Sequence, residues 1–254
     1  MATSWQLQTP VPAIIFDCDG TLSMIEGIDE LAKHNGVTAA VQALTAQAMG
    51  STGIHPELYQ QRLKLVYPRQ EQVQALGRDY FKHLVPDVQH IIRILQRLQK
   101  TVYIVSAGLS PAVRIFGDML QIPQENIFAV DIHFDAKGQF IDFEKTSPLV
   151  YRHGKRDIVN RLKLLHADII HVGDGLNDFV TYDLVTRFIG YGGVFYRENI
   201  ASQCQYYIRS LSMAPLLPLV LTQAEYEMLA AEEHALYQKG LMAIQEGTVS
   251  LRKS

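Results

Sequence analysis

Ala13-Ile14-Ile15-Phe16-Asp17-Cys18-Asp19-Gly20-Thr21 is the stretch on which the architecture turns. Ala13 to Phe16 is a short, unbroken apolar run of β-favouring residues, the pattern of a strand buried on both faces of a parallel sheet. It ends in two carboxylates. Charges delivered by a buried strand are costly unless a metal or hydrogen bonds compensate, and side chains two apart on extended backbone point the same way. Gly20 permits a sharp turn, and the amides of such turns bind anions. Alone, the pentapeptide Asp17 to Thr21 reads more readily as a solvated acidic turn.

Val102 to Val105 and Ile169 to Val172 repeat the buried-strand pattern, and Phe188-Ile189 is a weaker fourth run. Helical stripes lie between them. Val88, Ile91, Ile92, Leu95 and Leu98 share one face of Asp87 to Gln99, and Ile158, Leu162 and Leu165 share one face of Asp157 to Leu165. Strands alternating with helices predict an α/β fold, a doubly wound and mainly parallel Rossmann-like sheet. Such sheets bind ligands beyond the carboxyl ends of their strands.

One interval breaks the alternation. About 85 residues separate the first strand from the next, where a crossover needs only a dozen or more. Stripes at Ile25, Ile28, Leu31 and Ala32, at Val41, Leu44 and Ala48, and at Leu58, Leu63, Leu65 and Val66 make this interval helical. It reads as a small helical cap inserted after the first strand. In Asp131 to Phe143, apolar residues flank Lys137-Gly138, the pattern of a β-hairpin flap. Thr222-Gln223-Ala224-Glu225 is a capping box opening a C-terminal helix. The expected division is therefore a core of residues 1-23 and 87-221, a cap of 24-86, and a helical extension of 222-254.

A second acidic strand end follows the third run, at Gly173-Asp174-Gly175-Leu176-Asn177-Asp178. Two such ends in one sheet weaken the reading of either as an ordinary turn, and oxygen ligands of this kind suit Mg2+. The second run ends in Ser106-Ala107-Gly108, whose hydroxyl and amides can hold a phosphate oxygen, although helix capping by Ser106 or Ser110 is the simpler account in isolation. Lys155, following Gly154 ahead of a helix, reads as a surface charge or, placed over the same pocket, as a phosphate neutraliser.

Composition excludes several classes. The chain has 254 residues, 48% hydrophobic and 19% charged, enough for a substantial core and unlike a disordered chain. A net charge of −3 without a basic stripe argues against nucleic acid as partner. Residues 1-12 lack the basic and apolar regions of a signal peptide, and no apolar stretch reaches membrane-span length, so no membrane association is expected. Two cysteines, Cys18 and Cys204, build neither a disulfide framework nor a zinc pattern, which suits a cytoplasmic setting.

Asp17 to Thr21, Ser106, Lys155 and the Asp174/Asp178 pair, in that order, resemble the signature motifs of the haloacid dehalogenase-like phosphatases. The similarity extends to phosphoserine phosphatases from Ala13 to Leu221. It is carried by Asp17 through Ala32, Ala48-Met49-Gly50, Arg62-Leu63, Pro68 through Val73, Phe188 through Gly193, and Tyr206-Tyr207-Ile208. The resemblance implies that Asp17 attacks phosphorus to form an aspartyl-phosphate, with Asp19 as general acid and then base. It implies Mg2+ held by Asp17, the backbone carbonyl of Asp19 and Asp174, with Asp178 in support. Ser106, Ala107 and Lys155 would bind the phosphate, with Met49 among the substrate contacts. Glu26 would face the substrate ammonium and Arg62 its carboxylate. Without the resemblance, Glu26 and Arg62 read as solvated helix residues.

Three positions depart from the pattern: Gly20 replaces a usual serine, Ala107 a usual glycine, and His55 a phenylalanine of the animal-type enzymes. They bear on substrate rather than reaction class. A small phosphorylated metabolite is the expected ligand. A phosphatase for a metabolite other than phosphoserine remains an alternative, as does a non-catalytic binding protein of the same fold. His55 has no partner at metal-ligand spacing. The segment Thr222 to Glu246 reads as a packed accessory helix, with a homodimer contact left open.

Overall fold

A computed structural model describes residues 5–49 and 54–252, the side chains of 47–49 excepted. Strand β1 (Ala13–Phe16) is followed by helices α1 (Gly27–His34), α2 (Thr38–Met49), α3 (Pro56–Val66), α4 (Gln70–Lys82) and α5 (Val88–Arg97). Strand β2 (Thr101–Leu109), helix α6 (Ser110–Met119) and strand β3 (Ile127–Val130) precede a hairpin of β4 (Ile132–Phe134) and β5 (Phe140–Phe143). Then α7 (Gly154–Leu162), β6 (Ile169–Gly173), α8 (Leu176–Phe179), β7 (Arg187–Tyr191), α9 (Glu198–Ala201) and β8 (Tyr206–Ile208) alternate. Helices α10 (Leu216–Val220), α11 (Gln223–Glu227) and α12 (Ala231–Gln245) and strand β9 (Val249–Leu251) follow.

The seven-stranded sheet runs β3-β2-β1-β6-β7-β8-β9. All its pairings are parallel except β8 with β9. The chain steps outward from β1 to β3 and then returns to β6 on the other side of β1. The boundary between β1 and β6 is thus the switch point, where an open α/β sheet leaves a crevice at its carboxyl edge. Phe16 lies opposite both Ile104 and Val172, and the Asp17 amide donates to the Val172 carbonyl at 3.0 Å. This register delivers Asp17 and Asp174 to one edge, on either side of the crevice.

All four residues of β1 are buried, as a strand covered by helices on both faces requires. Each expected strand run is present, and β2 continues past Val105 through Ser106 to Leu109. The expected hairpin forms, with Ile132 opposite Phe143. The capping box also forms: the Thr222 hydroxyl accepts from the Glu225 amide, and the Glu225 carboxylate accepts from the Thr222 amide.

The segment 222-254 is not wholly helical, which corrects the expectation. Tyr207 pairs with Ser250 in an antiparallel ladder, so β9 extends the core sheet. A run of three residues carries too little periodicity to be read as a strand. No described helix is long and apolar enough to cross a membrane.

Candidate active site

Immediately after β1 the chain folds back on itself. The amides of Leu22 and Ser23 both donate to the Cys18 carbonyl, each at 3.0 Å. Gly20 occupies this turn at φ +68°, and a Cβ there would sit 3.0 Å from Asp174 Oδ2 and 2.8 Å from the Phe195 ring. Any side chain would be both strained and crowded, which accounts for glycine at this position.

Lys155, near the start of α7 and buried, ties two carboxylates together. Its Nζ lies 2.8 Å from Asp17 Oδ1 and 2.6 Å from Asp178 Oδ1. Asp178 is held further by the Gly175 amide at 3.1 Å, and His171 Nε2 lies 3.3 Å away. Asp174 receives Arg197, whose Nη2 and Nε are 2.8 and 3.1 Å from Oδ2. The carboxylates of Asp17, Asp174 and Asp178 bring ligand oxygens within 4.8 Å of one another. An all-oxygen donor set, with the buried Asn177 Oδ1 nearby and without a hydrogen-bond partner among the described residues, suits a hard divalent cation. The side chain of Asp19 turns elsewhere. Its Oδ1 accepts from the Gly27 amide at 2.6 Å and from the Tyr80 hydroxyl at 2.8 Å, while Ser106 Oγ lies 3.4 Å from Oδ2.

One cavity is lined by Asp17, Asp19, Glu26, Arg62, Ser106, Ala107, Lys155, Asp174 and Asp178, so nine of the ten sequence-predicted site residues converge. The tenth, Met49, ends α2, and its side chain lies outside the described part of the structure. Glu26 stands at the N-terminus of α1, 3.8 Å from Arg197. Arg62 is 7% exposed, and its Nε meets no hydrogen-bond partner among the described residues. His55 is not at the cavity. It caps α3, its Nδ1 accepting from the Leu58 amide, and neighbouring Ile54 lines the cavity instead.

Burial dominates the electrostatics. It pushes the Asp17 carboxyl well up, with Asp178 adding to the rise and Lys155 opposing it. Asp174 is pushed up to about 6 by burial against the pull of Arg197. Asp178 is buried too, but Lys155 and His171 overcome that and hold it low. Burial also raises Asp19, against its bonds from Gly27 and Tyr80, and raises Glu26, with Asp19 and Asp174 adding to the latter rise. Burial lowers the proton affinity of Arg62. The site gathers carboxylates faster than it neutralises them, the condition under which a cation binds well.

A family model of haloacid dehalogenase-like hydrolases matches residues 11–180, about two thirds of the chain. The chain belongs to that family. It is 35% identical over 198 residues to a phosphoserine phosphatase of Bos taurus, spanning 77% of this chain and 88% of that one. It is 32% identical over 202 residues to a chloroplastic phosphoserine phosphatase of Arabidopsis thaliana, spanning 78% and 68%. Among solved structures, a phosphoserine phosphohydrolase-like protein from Francisella tularensis superimposes with a TM-score of 0.71 at 25% identity, over 78% of this chain and 95% of that one. A substrate-bound phosphoserine phosphatase gives 0.74 at 21% identity over 84% and 100%, a likeness of fold.

Against this haloacid dehalogenase-like frame, sequence reasoning missed three residues. Tyr59 on α3 lies under the Arg62 guanidinium, 5.6 Å from ring centroid to Cζ, and donates its hydroxyl to the Ala107 carbonyl at 3.0 Å. Tyr80 reaches Asp19 from α4. Arg197 reaches Asp174 from the segment after β7. Neither tyrosine belongs to the apolar stripes read from the sequence, though both lie on buried helix faces. A tyrosine on a buried stripe must find a partner for its hydroxyl, and that was the available signal. Arg197 carries no such signal, because nothing in its local pattern ties it to a residue 23 positions earlier.

Proposed function

We propose that this protein hydrolyses O-phosphoserine to serine and phosphate through an aspartyl-phosphate on Asp17. The observation that carries the reading is the convergence of two halves in one cavity. Asp17, Lys155, Asp174 and Asp178 form the reaction end. Glu26 and the buried Arg62 form a recognition end of opposite charges, matched to an ammonium and a carboxylate. Arg62 offers a planar fork of donors for bidentate capture.

In the first half-reaction an Asp17 oxygen bonds to phosphorus as the ester P–O bond breaks, and the departing serine oxygen takes a proton from Asp19. In the second, Asp19 takes a proton from water, whose oxygen bonds to phosphorus and releases Asp17. The Ser106 hydroxyl, the backbone at Ala107 and the Lys155 ammonium hold the phosphoryl oxygens, the positioning that dominates phosphoryl transfer. Asp17, the Asp19 carbonyl and Asp174, with Asp178 behind them, would hold Mg2+, which when bound supplies charge neutralisation at the phosphoryl group. The two cysteines are free and buried, in keeping with a reducing compartment such as the cytoplasm.

The test is phosphate release from a panel of phosphorylated metabolites, with and without chelator, for wild type and Asp17→Asn. Phosphoserine should be the preferred substrate, and both the chelator and the variant should abolish turnover. Efficient turnover of another metabolite beside negligible phosphoserine hydrolysis would reassign the substrate. Undiminished turnover by Asp17→Asn would remove the nucleophile.

A further inference from the structure

Tyr80 is 1% exposed, its ring 5.6 Å from that of Phe116, and its hydroxyl lies 2.8 Å from Asp19 Oδ1. Room for it is made by Gly27, where a Cβ would sit 2.0 Å from the tyrosine oxygen. The Gly27 amide donates to the same Oδ1 at 2.6 Å. Two fixed donors, one from α4 and one from the first turn of α1, therefore converge on a single carboxylate oxygen. The other oxygen, Oδ2, is left on the side of Ser106, within 3.4 Å of its hydroxyl.

We propose that Tyr80 is a positioning residue for the first half-reaction: its hydroxyl pins Oδ1 of Asp19 so that Oδ2 is the oxygen presented to the ester bond. The inference rests on the acid role given to Asp19 above. As the bond from Asp17 to phosphorus forms and the ester bond breaks, the electron pair of that bond stays on the leaving oxygen, and the Asp19 proton goes to it. Transfer needs the carboxyl held within a fraction of an ångström and some tens of degrees of its productive orientation. A buried ring packed against Phe116 supplies a donor that does not move, where a solvent molecule would.

The contact has a kinetic signature that packing alone lacks. A leaving oxygen of high basicity needs the proton as the bond breaks, whereas a nitrophenolate departs without it. The value of kcat/KM reports the step up to the covalent phosphoenzyme. It should be measured for Tyr80→Phe on phosphoserine, phenyl phosphate and p-nitrophenyl phosphate. We expect roughly a tenfold or larger loss on the first two, part of what general acid catalysis contributes, and less than about a threefold loss on the third. The ratio between substrates does not depend on the fraction of variant that is folded. Equal losses on all three substrates, or no loss on any, would overturn the proposal. Asp19→Asn, measured alongside, should show the same graded pattern more steeply. If it shows that pattern and Tyr80→Phe does not, only the tyrosine's role falls. If Asp19→Asn depresses all three alike, the acid role of Asp19 fails, and the proposal with it.

Discussion

Arg62→Met keeps most of the stem volume of a buried side chain while removing its charge and its fork of donors. In the free protein Arg62 is 7% exposed and its Nε is buried with no hydrogen-bond partner among the described residues, so much of its dehydration has already been incurred in folding. Only the incoming carboxylate must still lose water. Hydrogen bonds to charged groups contribute about 1.5–3 kcal/mol each. A bidentate pair less the cost of stripping the ligand leaves about 3 kcal/mol. At roughly 1.4 kcal/mol per tenfold, kcat/KM for phosphoserine should fall on the order of 100-fold. Most of that loss should lie in KM, because the contact is made equally in the ground and transition states. p-Nitrophenyl phosphate has no carboxylate and should change by less than about threefold. Thermal stability should change little, since the relieved burial penalty is offset by the lost attraction to Glu26, Asp29 and Asp19. Steady-state phosphate release and a melting curve are sufficient assays. An equal loss on both substrates would refute carboxylate recognition by Arg62, as would an unchanged KM for phosphoserine.

Lys155→Met leaves Asp17 and Asp178 buried without their shared cation, and should cost about 3–5 kcal/mol by urea unfolding. An unfolding midpoint near that of wild type would show that the lysine is not what holds them. Mg2+ at about a hundred times its dissociation constant should add roughly 2.7 kcal/mol of stability, seen as a rise in Tm that a chelator reverses. A flat response would remove the cation from the site. Acid should loosen α12, which is tied down by Lys239 on Asp87 and by Arg97 on Glu233. Burial works against both acids, but their ion pairs and hydrogen bonds prevail and hold both folded values low. Their stabilisation is therefore full above the ordinary carboxylate range near 4 and lost as pH falls through the lowered values. Hydrogen exchange across α12 should quicken below about pH 4 ahead of the core strands, and exchange in step with the core would contradict it.

The legible parts of this chain are those where one local pattern admits one answer. Ala13 to Phe16 is buried on both faces, so its period disappears and only a central strand fits. Once β1 and β6 are taken as parallel neighbours, Asp17 and Asp174 must meet, because the ladder sets their level. The edges were harder. β3 pairs with β2 alone, and β9 with β8 alone, a partner some forty residues earlier. Side chains arriving from other elements were hardest. Tyr80 reaches Asp19 across 61 positions and Tyr59 reaches Ala107 across 48, through packing that no short window contains.

The charge count explains why those late arrivals matter. The cavity and its rim hold five carboxylates, Asp17, Asp19, Glu26, Asp174 and Asp178, against three cations, Lys155, Arg62 and Arg197. Fully ionised, the carboxylates exceed the cations by two, an unfavourable place for a phosphate dianion. The protein lessens the excess in two ways already visible. Lys155 spans two carboxylates, and Arg197 sits between Asp174 and Glu26. A divalent cation would bring the formal sum to zero before substrate enters. Arg197 holds Asp174 Oδ2 and would compete with such a cation for that oxygen. Arg197→Met should therefore tighten Mg2+ while raising the KM for phosphoserine, because Glu26 loses its restraining partner. Titration of Mg2+ against Tm would read the first effect, and steady-state kinetics the second. Weaker Mg2+ binding in the variant would show instead that the arginine orients Asp174 for the metal and does not oppose it.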